Sequence, residues 1–164
     1  MKIENIKALI FDWGDTIMRD FPGQSGPMYT WGKVEWIPGA ENLLRTVSKK
    51  YITVIATNAG ASDTVAMIKA LRRLGADKYF SNFYSSKELG YEKPDVRFFS
   101  IIAEHIGMEP EQCLMTGNLY EKDIVGAKAC GMKTVLFNEK MLDGDFSNAD
   151  AVIHSMEELI SLLG

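Results

Sequence analysis

The ten residues KALIFDWGDT, 7 to 16, decide how the rest of the chain is read. KALIF is a short apolar run bounded by polar residues and followed closely by glycine, the pattern of a strand buried on both faces of a parallel sheet. Asp12 is delivered to the end of that strand, and Trp13, Gly14, Asp15 and Thr16 follow at once. A carboxylate in this place is a nucleophile, a metal ligand or a turn former. Polar residues on loops of a rigid scaffold are over-represented in functional sites, so its companions have to decide.

Outward from this strand, residues 17 to 37 read as irregular. FPGQSGP marks turns, and MYTWGKVEW predicts a short hairpin that projects from the body as a flap. Pro38-Gly39 opens a helix over 39–49 with Leu43, Leu44 and Val47 on one face, and YITVIAT (51–57) is a β-branched strand. Ser62 and Asp63 start a second helix with Val65, Ile68, Leu71 and Leu74 in phase, ended by Gly75. A short strand near YFSNFYSS follows, then a helix from Pro94-Asp95 carrying Phe98, Phe99, Ile102 and Ile106. QCLMTG (112–117), a helix over 120–130, KTVLF (133–137), AVIH (151–154) and the helix SMEELISLL complete the chain.

Strands alternating with helices predict an α/β fold: a doubly wound parallel sheet, a Rossmann-like three-layer sandwich. At 164 residues the chain makes one domain, 1–164. Apolar residues are 46% and charged residues 24%, which excludes a disordered or disulfide-scaffold chain. Net charge is −4, and no basic block exceeds Lys49-Lys50 or Arg72-Arg73, so neither nucleic acid nor an anionic membrane is an expected partner. Cys113 and Cys130 have no ligand-spaced companions, which argues against zinc or a redox pair and predicts a reduced, cytoplasmic setting. The apolar stretch near the N-terminus is too short for a signal segment, and no run reaches membrane-spanning length.

In doubly wound sheets ligands sit beyond the carboxyl ends of the strands. The residues placed there are Asp12 to Thr16, Thr57-Asn58 and Gly117-Asn118, joined by Lys93 from the loop before a helix and by Asp123. Thr57 and Asn58 offer a hydroxyl, an amide and backbone N–H groups to a tetrahedral anion. Lys93 offers a compact positive charge to a phosphoryl group and to the carboxylate attacking it. Asn118 and Asp123 offer the hard oxygens that hold Mg²⁺. The set describes phosphoryl transfer to Asp12 through an aspartyl-phosphate, which water then hydrolyses.

Four stretches in order resemble the motifs of the haloacid dehalogenase-like hydrolases. FDWGDT resembles the nucleophile motif, the strand ending in Thr57-Asn58 the phosphate-binding motif, YEKPDVRFF the lysine motif, and MTGNLYEKDIVGAKACGM the acidic motif. The resemblance spans roughly residues 7 to 137. It implies a Mg²⁺-dependent phosphatase acting on a small phosphorylated substrate. Asp12, Lys93 and Thr57 would be catalytic, Thr16, Asn58 and Gly117 would face the phosphoryl group, and Asp12, the Gly14 carbonyl, Asn118 and Asp123 would hold the metal. About 40 residues separate Asp12 from Thr57, room for a flap but not for the cap domain of larger members. A second copy of the chain is then a candidate cover for the open site.

Two positions depart from the family pattern. Gly14 stands where the acid that protonates the leaving oxygen is expected, with Asp15 one place later. Asp15 replaces that acid only if the loop turns its carboxylate inward; its simpler role is a loop-stabilising contact. Asn118 stands where an acidic residue is expected, which removes one negative charge from the metal site. These departures leave three readings. One is a slow phosphatase acting on acyl or aryl phosphates. The second, a dehalogenase or phosphonate hydrolase, is disfavoured by the missing cap, and the third is a module that binds a phospho-ligand or protein without turnover. Tyr29, Trp31 and Trp36 either line the entrance or pack the flap. His105, His154, Met67, Met115 and both cysteines read as structural.

Overall fold

The computed structural model describes residues 1–164. Six strands, β1 (Ala8–Phe11), β2 (Ile52–Thr57), β3 (Asn82–Ser85), β4 (Cys113–Gly117), β5 (Lys133–Phe137) and β6 (Ala151–Ile153), form one all-parallel sheet in the order β3-β2-β1-β4-β5-β6. The helices are α1 (Ala40–Val47), α2 (Thr64–Arg73), α3 (Ser86–Leu89), α4 (Val96–His105), α5 (Val125–Cys130) and α6 (Glu158–Leu162). The expected α/β sandwich is therefore present, and its strands fall where the apolar runs placed them. No helix is long and apolar enough to cross a membrane.

The two-residue period of the strands sorts the core into two layers. Leu9, Phe11, Ile55, Leu114, Val135 and Phe137 face Leu43 and Leu44 of α1, Met67 and Leu71 of α2 and Leu159 of α6. Ala8, Ile10, Val54, Ala56, Cys113 and Met115 face Phe98, Phe99 and Ile102 of α4 and Ala127 of α5. All four residues of β1 are fully buried, as a central strand covered by helices on both faces requires. Strand order reverses between β1 and β4, and the register Phe11↔Ile55 and Phe11↔Thr116 sets Asp12 level with the ends of both neighbours.

Helix starts follow the sequence signals. Asp63 caps α2 by accepting from the Ala66 N–H at 2.9 Å, and Asp95 caps α4 by accepting from the Arg97 N–H at 2.9 Å. Three expectations are corrected. The inward face of α2 is Met67, Ala70 and Leu71, whereas Val65 is 61% exposed, because the i, i+3, i+4 set starting at 67 fills the sheet face better than the set starting at 65. The helix expected over 120–130 opens as a π-helical turn, Tyr120–Ile124, before α5. The aromatic segment is not a projecting hairpin. Residues 17–19 and 35–37 meet in a short antiparallel bridge, and Met28–Thr30 forms a 3₁₀ turn folded down onto α2. Arg73 donates to the carbonyls of Tyr29 and Trp31, the Met28 N–H donates to Ser62 Oγ at 3.3 Å, and Lys69 Nζ lies 4.9 Å from the Tyr29 ring centre. Backbone carbonyls bound by a helix arginine hold this segment against α2.

Candidate active site

The site is built around Lys93. Its ammonium donates to Asp12 Oδ1 at 2.8 Å, Asp123 Oδ1 at 2.7 Å and the Ala56 carbonyl at 3.2 Å, so each of its three hydrogens has an acceptor. Lys93 is 4% exposed, Asp123 1% and Asp12 7%. Burial opposes the Lys93 charge, but Asp12 and Asp123 outweigh it and hold its pKa above the usual lysine value. Burial, joined by repulsion from Asp12, pushes the Asp123 carboxyl up against the pull of Lys93. With both acids ionised the triad carries one net negative charge in a nearly dry setting, an arrangement that favours an added cation.

Each member is brought there by its element. β1 delivers Asp12, whose backbone N–H donates to the Thr116 carbonyl at 3.0 Å as the last rung between β1 and β4. The turn after β4 delivers Asp123; its Oδ2 accepts from the Leu119 N–H at 2.9 Å, so both its oxygens are held. Gly117 is required by this turn, since a Cβ there would collide with the Asp123 carboxyl. Asn58 fixes the third member: its Nδ2 donates to the Lys93 carbonyl at 3.0 Å and its Oδ1 accepts from the Lys93 N–H at 2.8 Å. The Asn58 side chain therefore supports the lysine loop. Its amide clamps the lysine backbone. Gly117 likewise serves Asp123 through its lack of a side chain.

Thr16 Oγ1 lies 3.3 Å from Asp12 Oδ2 and 3.4 Å from Asn118 Oδ1. One hydroxyl hydrogen cannot serve both acceptors, so two hard oxygens converge on a point with a single donor. Thr57 Oγ1 donates weakly to the Asn58 carbonyl at 3.2 Å and lines an open cleft of about 330 Å³ with Trp13, Gly14, Asp20, Trp31 and Ser62.

Asp15 is not brought to Asp12. Its backbone φ of +56° belongs to the left-handed region, and its carboxylate lies 3.5 Å from Arg19 Nη1 and accepts from the Asp20 N–H at 3.1 Å. Of the two readings of Asp15, this geometry favours the simpler one, a contact that stabilises the loop. Of the flap aromatics, Trp31 lines the cleft, Tyr29 lies on α2, and Trp36 packs 6.4 Å from Tyr79. Two features escaped the sequence reading. Arg19 forms a two-point ion pair with Glu139 at 2.7 and 3.0 Å, tying the loop after β1 to the segment after β5. Asp20 lines the cleft, and burial together with the charges of Asp15 and Asp12 raises its pKa. Neither residue lies in a motif; the only signal was a charged pair inside an irregular stretch.

A protein-family model described as haloacid dehalogenase-like hydrolase matches residues 31–131, more than half of the chain. The chain belongs to the haloacid dehalogenase-like hydrolases. Two relatives are called glyceraldehyde 3-phosphate phosphatase. The one from Methanothermobacter thermautotrophicus is 34% identical over 82 residues, 50% of this chain and 36% of the relative. The one from Pyrococcus furiosus is 32% identical over 132 residues, 77% of this chain and 54% of the relative. The chain thus spans about half or less of the length of these relatives. Among solved structures, the hydrolase YfnB from Bacillus subtilis, bound to magnesium, superposes with a TM-score of 0.81 at 19% identity, covering 97% of this chain and 99% of the other. The family match begins at residue 31, beyond the Asp12 loop, so the role of Asp12 has to be argued from its surroundings.

Proposed function

We propose that this protein is a phosphohydrolase in which Asp12 takes the phosphoryl group from a small phosphate ester or acyl phosphate. The observation that carries this reading is the buried Lys93 ammonium bridging Asp12 and Asp123, with Asp12 Oδ2 left on the side of Thr16 and Asn118. The Lys93 ammonium donates to Asp12 Oδ1, and the Asp12 carboxylate attacks phosphorus. Asp123 acts through Lys93, holding the ammonium where it balances charge on the attacking carboxylate. The Thr57 hydroxyl, whose present partner is a weak one, turns to donate to a phosphoryl oxygen. Water then attacks the phosphorus of the aspartyl-phosphate, releasing phosphate and restoring Asp12. The names of the two relatives support a small sugar-like phosphate as the substrate class.

The donor set suits Mg²⁺: two hard oxygens, from Asp12 and Asn118, share one hydroxyl hydrogen beside a triad of net negative charge. Asp12 and Asn118 would hold the ion. When bound, it would offset the negative charge of the triad and of the incoming phosphoryl group, which otherwise repel each other. Asp123, with both oxygens already engaged, is better suited to positioning Lys93 than to binding metal.

The test is hydrolysis of p-nitrophenyl phosphate and acetyl phosphate by the wild type and Asp12→Asn, each with Mg²⁺ and with chelator. The expected outcome is metal-dependent turnover that is lost in Asp12→Asn. Turnover equal to that of the variant on both esters would assign the chain to binding instead of catalysis.

A further inference from the structure

When an alkyl phosphate gives up its phosphoryl group, the departing oxygen leaves as an alcohol only if a proton reaches it as the bond to phosphorus breaks. Aryl and acyl leaving groups need no such help. The groups already placed around Asp12 cannot give that proton. Lys93 and Asp123 are buried and hold each other, and Asp15 is turned to Arg19.

The cleft next to Thr57 has one titratable residue in its lining, Asp20. Its backbone is fixed, since its N–H donates to Asp15 Oδ1 at 3.1 Å. Its carboxylate is engaged in no hydrogen bond or ion pair and faces the cleft. It also lies over the bare Cα of Gly14: a Cβ built there would stand 3.6 Å from Asp20 Cβ and 3.7 Å from Asp20 Oδ2. The Asp20 carboxyl thus fills the space toward which a side chain on residue 14, two places after Asp12, would point. Gly14 leaves that space open, and the loop after β1 returns a carboxyl to it from six residues further on.

We infer that Asp20 is the general acid and base of this site, acting on the leaving oxygen and then on water. The inference rests on the reading of Asp12 as the nucleophile. In the first half, a bond forms between an Asp12 carboxylate oxygen and phosphorus while the bond from phosphorus to the ester oxygen breaks. The electron pair of the broken bond stays on that oxygen, which takes the proton of the Asp20 carboxyl and departs as an alcohol. In the second half, Asp20, now a carboxylate, takes a proton from water as the water oxygen bonds to phosphorus. The bond from Asp12 to phosphorus breaks, phosphate leaves, and both carboxyl groups return to their starting states. Asp15 is then a positioning residue for Asp20, through the hydrogen bond to its backbone.

The experiment compares kcat/KM, which reports the steps through transfer to Asp12, on glycerol 3-phosphate and on p-nitrophenyl phosphate. Four proteins are measured with Mg²⁺: wild type, Asp20→Asn, Asp12→Asn, and Asp20→Ala combined with Gly14→Asp. Asp20→Asn is expected to lose roughly 10²-fold or more on the alkyl ester, in keeping with the usual worth of general acid catalysis, and less than about 10-fold on the aryl ester. Gly14→Asp added to Asp20→Ala is expected to restore the alkyl rate, because alanine at 20 vacates the space its carboxyl fills and the Cβ at 14 meets residue 20 only at ordinary contact distance. A merely structural role for Asp20 would lower both esters alike. Equal loss on both, or loss on neither, overturns the inference. If Asp12→Asn still abolishes turnover in that case, the phosphohydrolase reading survives without Asp20; absence of wild-type turnover on either ester overturns both.

Discussion

Lys93 lies nearly out of reach of water, and its placement depends on a residue 35 positions earlier in the chain. Asn58 holds its backbone at two points, 2.8 and 3.0 Å, as a neighbouring strand would. Replacing Asn58 with alanine leaves the Lys93 N–H and carbonyl without these partners. The expected loss is about 1–3 kcal/mol of stability, the usual penalty for leaving such groups unpaired, read from urea unfolding. Activity in Asn58→Ala should fall further than stability alone explains, because the ammonium is no longer aimed; Asn58→Ser, which keeps only one of the two partners, should fall between. The types and order of the site residues were legible in the sequence, since Asp12, Thr57 and Lys93 stand at or beside element boundaries and Asp123 follows closely on a strand end. The work each side chain does was not. The supporting work of Asn58 and Gly117 was hidden because amide pairing and close approach depend on which loops meet, and spacing along the chain does not encode that. Asp15 reads from sequence either as a substitute for the acid or, more simply, as a loop contact, and a left-handed backbone with a nearby arginine gives it the second direction.

At the scale of elements, the lysine loop is held in place by a helix that never touches the reacting atoms. A Cβ at Gly126 of α5 would run into the Pro94 carbonyl and stand 2.8 Å from the Phe99 ring, so α5 seats against the start of α4 only because that residue has no side chain. Gly126→Ala should destabilise the protein by about 1–3 kcal/mol through overpacking. It should also lower turnover by shifting Lys93, one residue from Pro94; unchanged unfolding and turnover would contradict this packing. Strands were easier to read than helix faces. A buried parallel strand announces itself as an apolar run, whereas the face of α2 depends on a rotation that Val65 and Met67 specify almost equally in sequence and very differently in space, at 61% and 0% exposure. The aromatic segment misled for a related reason. Its alternation suits a strand, but the carbonyls of Tyr29 and Trp31 find their donor on Arg73 of α2, and no local pattern reveals a partner more than 40 residues away.

At the scale of the whole molecule, the sheet is closed on both faces, and its thiols report on that closure. Cys113 is fully buried in β4, and burial, with the charges of Cys130 and Glu111 adding to it, pushes its pKa up to about 12. Burial raises the pKa of Cys130 as well, with Glu111 adding to it. An unfolded thiol ionises near pH 8.5, so above that value the unfolded chain binds fewer protons than the folded one and stability falls as pH rises toward about 12. Below that window the contribution of the thiols is flat. In native buffer near pH 8 the Cys113 thiol should therefore resist a thiol reagent and react at the rate of global opening. Rapid labelling of Cys113 with the fold intact would contradict the closed sheet.

In the proposed reaction Asp12 itself carries the phosphoryl group. The measurement is acid quench of the wild-type protein during turnover of acetyl phosphate with Mg²⁺, followed by peptide mass spectrometry. The predicted result is a phosphoryl adduct on Asp12 that appears within the first turnover and is absent from Asp12→Asn. Turnover with no adduct on Asp12, or an adduct on another carboxylate, would contradict it.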